Sequence, residues 1–273
     1  MSKIVLITGA SSGMGKTTAE LLLKKGFVVY GAARRIDKMN DLQQLGAKIL
    51  CMDVTDDATM VSGVEEIIKN EGCIDVLINN AGFGFYGAVE DVSIKDARYQ
   101  LDVNVFGAVR LIQLVLPYMR KNQFGKIVNI SSIGGKLANP FGGWYHASKF
   151  ALEALSDSLR MEVKHFGIDV IVIEPGGVKS EWSDIAMENA RKVSEKGVYV
   201  TMVNKMIETG KKFKEKNAEP EIIANLILKA ITVNKPKTRY SGGFMAKPLL
   251  LMKKIVSDKM MDKIILSQFK GKK

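Results

Sequence analysis

Tyr145 and Lys149 stand four residues apart in Trp144-Tyr145-His146-Ala147-Ser148-Lys149. The stretch opens a strongly periodic helical pattern, so both side chains fall on one face, one turn apart. A free phenol ionises near ~10, and service as acid or base near neutrality requires a shift of about three units, roughly 4 kcal/mol. An ammonium ~4 Å away at an effective dielectric of 20 supplies about that much. The pair is chemically sufficient as a proton donor, although Y-x-x-x-K spacing by itself is common on helix surfaces. Other polar residues accompany it. Ile130-Ser131-Ser132 closes an apolar run thirteen residues upstream of Tyr145, and Asn79-Asn80-Ala81-Gly82 closes another. Asn104 stands in mid-helix, a poor place for an amide without work to do.

A second constellation lies near the start. Thr8-Gly9-Ala10-Ser11-Ser12-Gly13-Met14-Gly15 follows the first apolar run and opens a helix. Gly9 permits a tight turn, Gly13 lets backbone approach a ligand, and Gly15 lets the helix pack closely on the strand. The helix N-terminus then offers free N–H groups to a pyrophosphate. The stretch Ala10–Thr17 also lacks only the first glycine of a P-loop. In that reading Lys16 reaches the β/γ phosphates, Thr17 holds Mg²⁺ and Asp53 is a second metal ligand. Phosphotransfer leaves Ser132, Tyr145, Lys149 and Asn104 without a task, so it is the weaker alternative.

The elements that must position these groups follow from the pattern. Strands are expected at Ile4–Thr8, Val28–Ala32, Lys48–Met52, Val76–Asn79, Lys126–Ile130 and Asp169–Glu174, with helices near 14–25, 57–70, 94–121 and 145–166. Near-continuous apolar strands alternating with helices imply a parallel sheet covered on both faces, and right-handed crossovers make it doubly wound. The fold class is a single-domain α/β, Rossmann-type sheet with a C-terminal helical extension. The expected boundaries are 1–246 for the main domain, with inserted helices at about 181–220, and 247–273 for the extension. In such a sheet the second strand ends beside the adenosine ribose, where NAD binders place a carboxylate. Here it ends in Ala33-Arg34-Arg35. A guanidinium pairs bidentately with a 2′-phosphate, which favours NADP(H), although Asp37 lies close by.

Composition sets outer limits. The 273 residues are 47% hydrophobic and 25% charged, as in ordinary globular chains. Two cysteines, Cys51 and Cys73, make neither a disulfide framework nor a zinc site, so no metal is expected. No signal-like segment and no apolar run of ~20 residues is seen, so the expected location is cytoplasmic. The net charge of +11 is uneven: residues 229–273 hold 12 Lys/Arg against 2 Asp/Glu, a net of +10, which leaves +1 for the rest. A nearly neutral body argues against a nucleic-acid partner.

Together the glycine turn, the Asn80-Ala81-Gly82 stretch, Ser132, the Tyr145/Lys149 pair and Pro175-Gly176 resemble the short-chain dehydrogenase/reductase family, over about residues 3–180. Hydroxysteroid and retinol dehydrogenases are the leading comparison. The resemblance implies that Tyr145 is the acid/base, and that Lys149 lowers its pKa and bonds the nicotinamide ribose. Ser132 would hold the substrate oxygen, and Asn104 would complete a proton relay. It assigns Gly9, Ser11, Ser12, Gly13, Met14 and Gly15 to the pyrophosphate and adenosine end, Arg34 and Arg35 to the 2′-phosphate, and Asp53 with Val54 to the adenine. Asn80, Ala81 and Gly82 would flank adenosine and ribose, and Pro175, Gly176, Val178 and Ser180 the nicotinamide. Ser180 departs from the threonine common there but keeps the hydroxyl. The implied reaction is NADP(H)-dependent interconversion of a ketone or aldehyde with an alcohol, in a homodimer or homotetramer. A non-catalytic NADP(H)-sensing protein is the alternative.

Substrate contacts are expected from Phe83, Phe85, Tyr86, Leu137, Phe141, Trp144, Trp182, Ile185 and Met187, a lining suited to a bulky apolar steroid-, retinoid- or acyl-like molecule. His146 points about 100° away from Tyr145, and His165 ends the same helix; both read as structural. In the extension, apolar pairs from Leu251/Met252 to Ile264/Ile265 recur between lysines, the pattern of one basic amphipathic helix. It is expected to pack on the body or close over the pocket rather than lie on a membrane, because the stripe spans only a few turns.

Overall fold

In the computed structural model, residues 2–194 and 196–267 are described. Residues 268–273, the end of the expected extension, lie outside them. The apolar runs form β1 (Ile4–Thr8), β2 (Val28–Ala33), β3 (Lys48–Cys51), β4 (Val76–Asn79), β5 (Gly125–Ile130) and β6 (Ile168–Pro175), as the pattern requires, and β7 (Arg239–Gly242) joins them. All pair in parallel, in the order β3-β2-β1-β4-β5-β6-β7. The order reverses between β1 and β4, and the carboxyl ends of these strands open the crevice where such sheets bind ligands.

The helices are α1 (Gly13–Lys24), α2 (Asn40–Gln44), α3 (Asp57–Glu71), α4 (Ile94–Leu101), α5 (Gly107–Lys121), α6 (Gly143–Val163), α7 (Trp182–Ser194), α8 (Val200–Lys214), α9 (Glu221–Thr232), α10 (Ala246–Ile255) and α11 (Asp258–Ser267). One core layer packs α1 and α9 against the sheet through Leu22, Ile223 and Ile227; the other packs α3 and α5 through Ile67, Leu111 and Val115. A third, smaller cluster joins α7 and α8 to Tyr86, Phe141 and Tyr145.

Five elements differ from the expectation. Strand β7 and helices α2 and α9 are additional. A π-helical turn at Asp102–Phe106 joins α4 to α5 and carries Asn104. The continuous helix Ile94–Lys121 is long and apolar enough, by length and composition, to cross a membrane. Its Leu111, Val115 and Met119 are wholly buried, as in a helix covering a sheet. The extension is two helices rather than one: Val256, extended at φ −98° and ψ 149°, ends α10.

Candidate active site

The glycine turn forms as its residue types demand. Gly9 and Gly13 take φ of +66° and +53°, where side chains are strained. A Cβ on Gly9 would lie 2.9 Å from Asn80 Nδ2 and 3.0 Å from Ala81 Cα. Asn80 staples the crevice shut behind the turn, donating from Nδ2 to the carbonyls of Thr8 (2.9 Å) and Gly9 (3.2 Å). Thr8 Oγ1 accepts from the N–H groups of Asn80 (3.1 Å) and Ala81 (3.0 Å). Gly15 packs against Asn80 and Gly9 and does not line the cavity.

Helix α6 and the end of β5 bring the reacting groups together. Tyr145, Lys149 and Ser132 line one cavity of about 690 Å³ that runs back to the glycine turn. Lys149 Nζ donates to Ile130 O at 2.8 Å and lies 6.0 Å from the Tyr145 ring centre. The absent side chain of Gly82 faces Lys149 Nζ and Asn104 Oδ1. Ser132 Oγ accepts from Gly134 N (3.0 Å) and makes a long contact, 3.5 Å, to Pro175 O.

The expected lowering of the Tyr145 pKa does not occur in this arrangement. Burial beneath Trp182 and Tyr86 raises the phenol to about 12, against a smaller pull downward from the Ser132 hydroxyl. The ammonium spends its hydrogen bond on a backbone carbonyl, and burial lowers Lys149 to about 8, opposed by the charge of Glu153. Glu153, one turn further along α6, is itself buried and held by Lys136 (2.9 Å) and Arg239 (2.9 Å). Asn104 is buried and does not line the cavity. Its Oδ1 accepts from Phe83 N (3.0 Å), and Nδ2 donates to Phe83 O (2.9 Å) and Ser148 Oγ (2.9 Å). Its side chain therefore fixes the segment after β4 to α6.

At the far end, Arg35 Nη2 reaches Ser11 and Ser12 Oγ, both at 3.4 Å, and Arg34 donates to Tyr99 Oη at 2.9 Å and lies 3.7 Å from Asp53. Asp53 accepts from Thr55 N and Oγ1, at 2.9 and 2.8 Å, so its carboxylate is already engaged. Lys16 points away from the turn, into an ion pair with Asp41 (2.5 Å) and a hydrogen bond to Lys38 O (3.3 Å). The cation that a P-loop requires is thus held away from the turn, which counts against the phosphotransfer alternative.

Ser11, Ser12, Gly13, Met14, Arg34, Arg35, Asp53, Val54, Asn80, Ala81, Gly82, Pro175, Gly176, Val178 and Ser180 all border the cavity, as does Gly9. Of the expected substrate contacts, Phe83, Tyr86, Leu137, Trp182 and Ile185 line it, whereas Phe85, Phe141, Trp144 and Met187 do not. Phe141 is buried behind Tyr86, in the cluster beneath α7 and α8. Trp182 lies on Tyr145, ring centres 4.9 Å apart. His146 also borders the cavity but is occupied, through Nδ1 with Gly134 O (2.9 Å) and Nε2 with Asn139 (2.6 Å to Oδ1). Tyr99, Glu181 and Leu249 were not anticipated. Each comes from a segment whose approach depends on tertiary packing, and only Glu181, beside Ser180, carried a local signal.

Residues 3–191 match the family model described as short chain dehydrogenase. A 3-ketodihydrosphingosine reductase of Bacteroides thetaiotaomicron is 45% identical over 183 residues, 67% of this chain and 66% of that one. An NADPH-dependent 3-dehydrocapnine reductase of Ornithobacterium rhinotracheale is 33% identical over 98% of both chains. Among solved structures, a short-chain dehydrogenase from Streptomyces avermitilis superposes with a TM-score of 0.80 at 30% identity, covering 98% of this chain and 96% of that one.

Proposed function

This chain belongs to the short-chain dehydrogenase/reductase family, and on that premise we propose that it reduces the ketone of a long-chain, lipid-like substrate with NADPH, Tyr145 donating the proton. It is an NADP(H)-dependent oxidoreductase acting between C=O and CH–OH groups. The observation that carries the finer reading is one continuous cavity, with Ser132, Tyr145 and Lys149 at one end and two guanidinium groups at the other.

The residues fit the cofactor. The turn at Gly9 and Gly13 leaves backbone room for a pyrophosphate, Arg34 and Arg35 with Ser11 and Ser12 offer donors to a 2′-phosphate, and Gly82 leaves space beside Lys149. When bound, the nicotinamide supplies the hydride, and the protein orients and polarises. Ser132 and Tyr145 donate hydrogen bonds to the substrate oxygen, a preorganised pair for its developing negative charge. Burial keeps Tyr145 protonated across the physiological range, so the proton is in place at Oη whenever substrate arrives. An alkoxide is a stronger base than a phenolate, so the transfer runs downhill even from a raised pKa. Lys149, while charged, stabilises the phenolate left behind.

A long apolar substrate is supported by the aromatic and aliphatic wall of Tyr86, Leu137, Trp182, Ile185 and Leu249. One relative is named for the reduction of 3-ketodihydrosphingosine, a long-chain amino ketone, and another for that of 3-dehydrocapnine. The test is NADPH consumption against ketones of graded chain length, with NADH in parallel. Tyr145→Phe is expected to lower turnover by about 10²–10⁴-fold while NADPH binding stays within about twofold. Undiminished turnover in that variant would sink the assignment of Tyr145, and indifference to chain length would sink the substrate class.

A further inference from the structure

We propose that α10 and α11 seat the protein on an anionic lipid surface beside the mouth of the substrate cavity, so that a long-chain ketone passes from the leaflet into the cavity. The ketone rests on the substrate reading above; the attachment does not. Helix α10 is fixed to the body at one end, where Ala246 is fully buried, and Leu249 forms part of the cavity wall with Ile185 and Trp182. Beyond that contact its apolar residues turn outward. Leu251 and Ile255, one turn apart on one face, are 60% and 73% exposed. Lys247 and Lys254 share that face by helical spacing. In α11 Met261 is buried, whereas Met260 and Leu266 are 50% and 42% exposed, with Lys259 just before Met260 and Asp262 and Lys263 between the two.

Single exposed apolar residues are ordinary on any surface. Leu251 and Ile255 on successive turns of α10, with Met260 and Leu266 exposed on α11 and lysines among them, make the pattern of helices that lie in a membrane interface. Among the described residues Lys253 is paired, with Asp258 at 2.5 Å, while Lys247, Lys254, Lys259 and Lys263 make no ion pair. The charge selects the occupant. Helices α10 and α11 carry Lys247, Lys253, Lys254, Lys259 and Lys263 against Asp258 and Asp262, a net of +3, on a body of residues 1–228 with a net of +1. Two copies apposed through these helices would repel. A layer of lipid headgroups with negative charge above hydrocarbon matches both the lysines and the side chains between them. Leu249, in the first turn of α10, belongs to the cavity wall, so the helix that carries Leu251 and Ile255 also borders the space a substrate enters.

The test sediments the full-length protein with vesicles of phosphatidylcholine alone or mixed with phosphatidylglycerol. The protein is expected to sediment with the anionic vesicles, to be released by raised salt, and to stay in solution with the zwitterionic ones. The double variant Leu251→Glu/Ile255→Glu, at two exposed positions, should weaken vesicle binding about tenfold or more. Its melting temperature and its kcat/KM for a short, water-soluble ketone should match the parent. Turnover of a long-chain ketone embedded in the vesicles should fall with binding. Failure to sediment, or a double variant that binds as the parent does, overturns the proposal. Light scattering that shows the variant to be a smaller assembly also overturns it, since a second copy would then cover the face. Vesicle binding without reduction of the long-chain ketone removes the substrate reading and leaves the attachment standing.

Discussion

Tyr145 and Lys149 share one helix face, and burial moves their proton affinities in opposite directions, the phenol up to about 12 and the ammonium down to about 8. Reduction uses a protonated phenol and a charged lysine. Tyr145 stays protonated throughout the neutral range, so a loss of kcat/KM as pH rises through about 8 is expected from Lys149 alone. A pH profile of the reductive direction checks this, and Lys149→Arg should remove that limb, because a guanidinium does not titrate there. A profile flat beyond pH 9 in the parent would contradict it. The same shift has a sign for stability. Between about 8 and the ordinary 10.5 the unfolded chain binds the proton that the folded one has lost, so stability contributed by this group rises with pH across that window. Below about 8 the cost of burying the charge is fully present. That Tyr145, Lys149 and Ser132 would meet at one place was legible from type and spacing, and they line one cavity. Their electrostatics were not, because Lys149 Nζ is turned to Ile130 O and Trp182 covers the phenol, and both facts belong to tertiary packing.

The segment that opens α7 crosses the cleft. Glu181 lies 3.7 Å from Arg35 and 3.8 Å from Lys38, on the far side of the glycine turn. A 2′-phosphate arriving at Arg35 has to compete with this carboxylate. Glu181→Gln is therefore expected to tighten NADPH binding several-fold and leave NADH binding unchanged, as read from the fluorescence of the bound dinucleotide. An equal change for both dinucleotides would remove Arg35 from the selection. Five of the other strands were legible because their runs are largely apolar and buried, and the short edge strand β3 because Ile49 and Leu50 fall where the alternation of strands and helices calls for one. Strand β7 was not: Arg239-Tyr240-Ser241-Gly242 has no apolar run and becomes a strand because β6 leaves an open edge beside it. Carboxylates of Glu153, Asp157 and Glu174 then gather around Arg239. The break between α10 and α11 was hidden for a related reason, since Val256-Ser257 contains neither proline nor glycine and the spacing of apolar pairs runs on across it.

At the scale of the whole molecule, the outer faces of the helix 94–121 and of α6 carry several exposed apolar residues among polar ones. Phe106 is 62% and Met161 69% exposed, with Ile94, Phe150 and Leu155 also outside. We expect copies to assemble through these helices, away from the basic extension, with a mass by light scattering of two or four times 30.1 kDa. Phe106→Glu/Met161→Glu should reduce it to one; a parent that is already a monomer would exclude this surface. The contacts of Arg239 bear on how the chain comes to be finished. Its guanidinium reaches Glu153 across 86 residues of sequence. During synthesis, α6 with its tyrosine and lysine emerges long before that cation exists. Until residue 239 leaves the ribosome, Glu153 has Lys136 and not this second counter-charge, and closing the helix onto the sheet buries a carboxylate with less compensation than the finished chain supplies. A prematurely terminated chain would therefore carry every reacting residue and still lack one of the two cations that hold Glu153, the carboxylate one turn beyond Lys149.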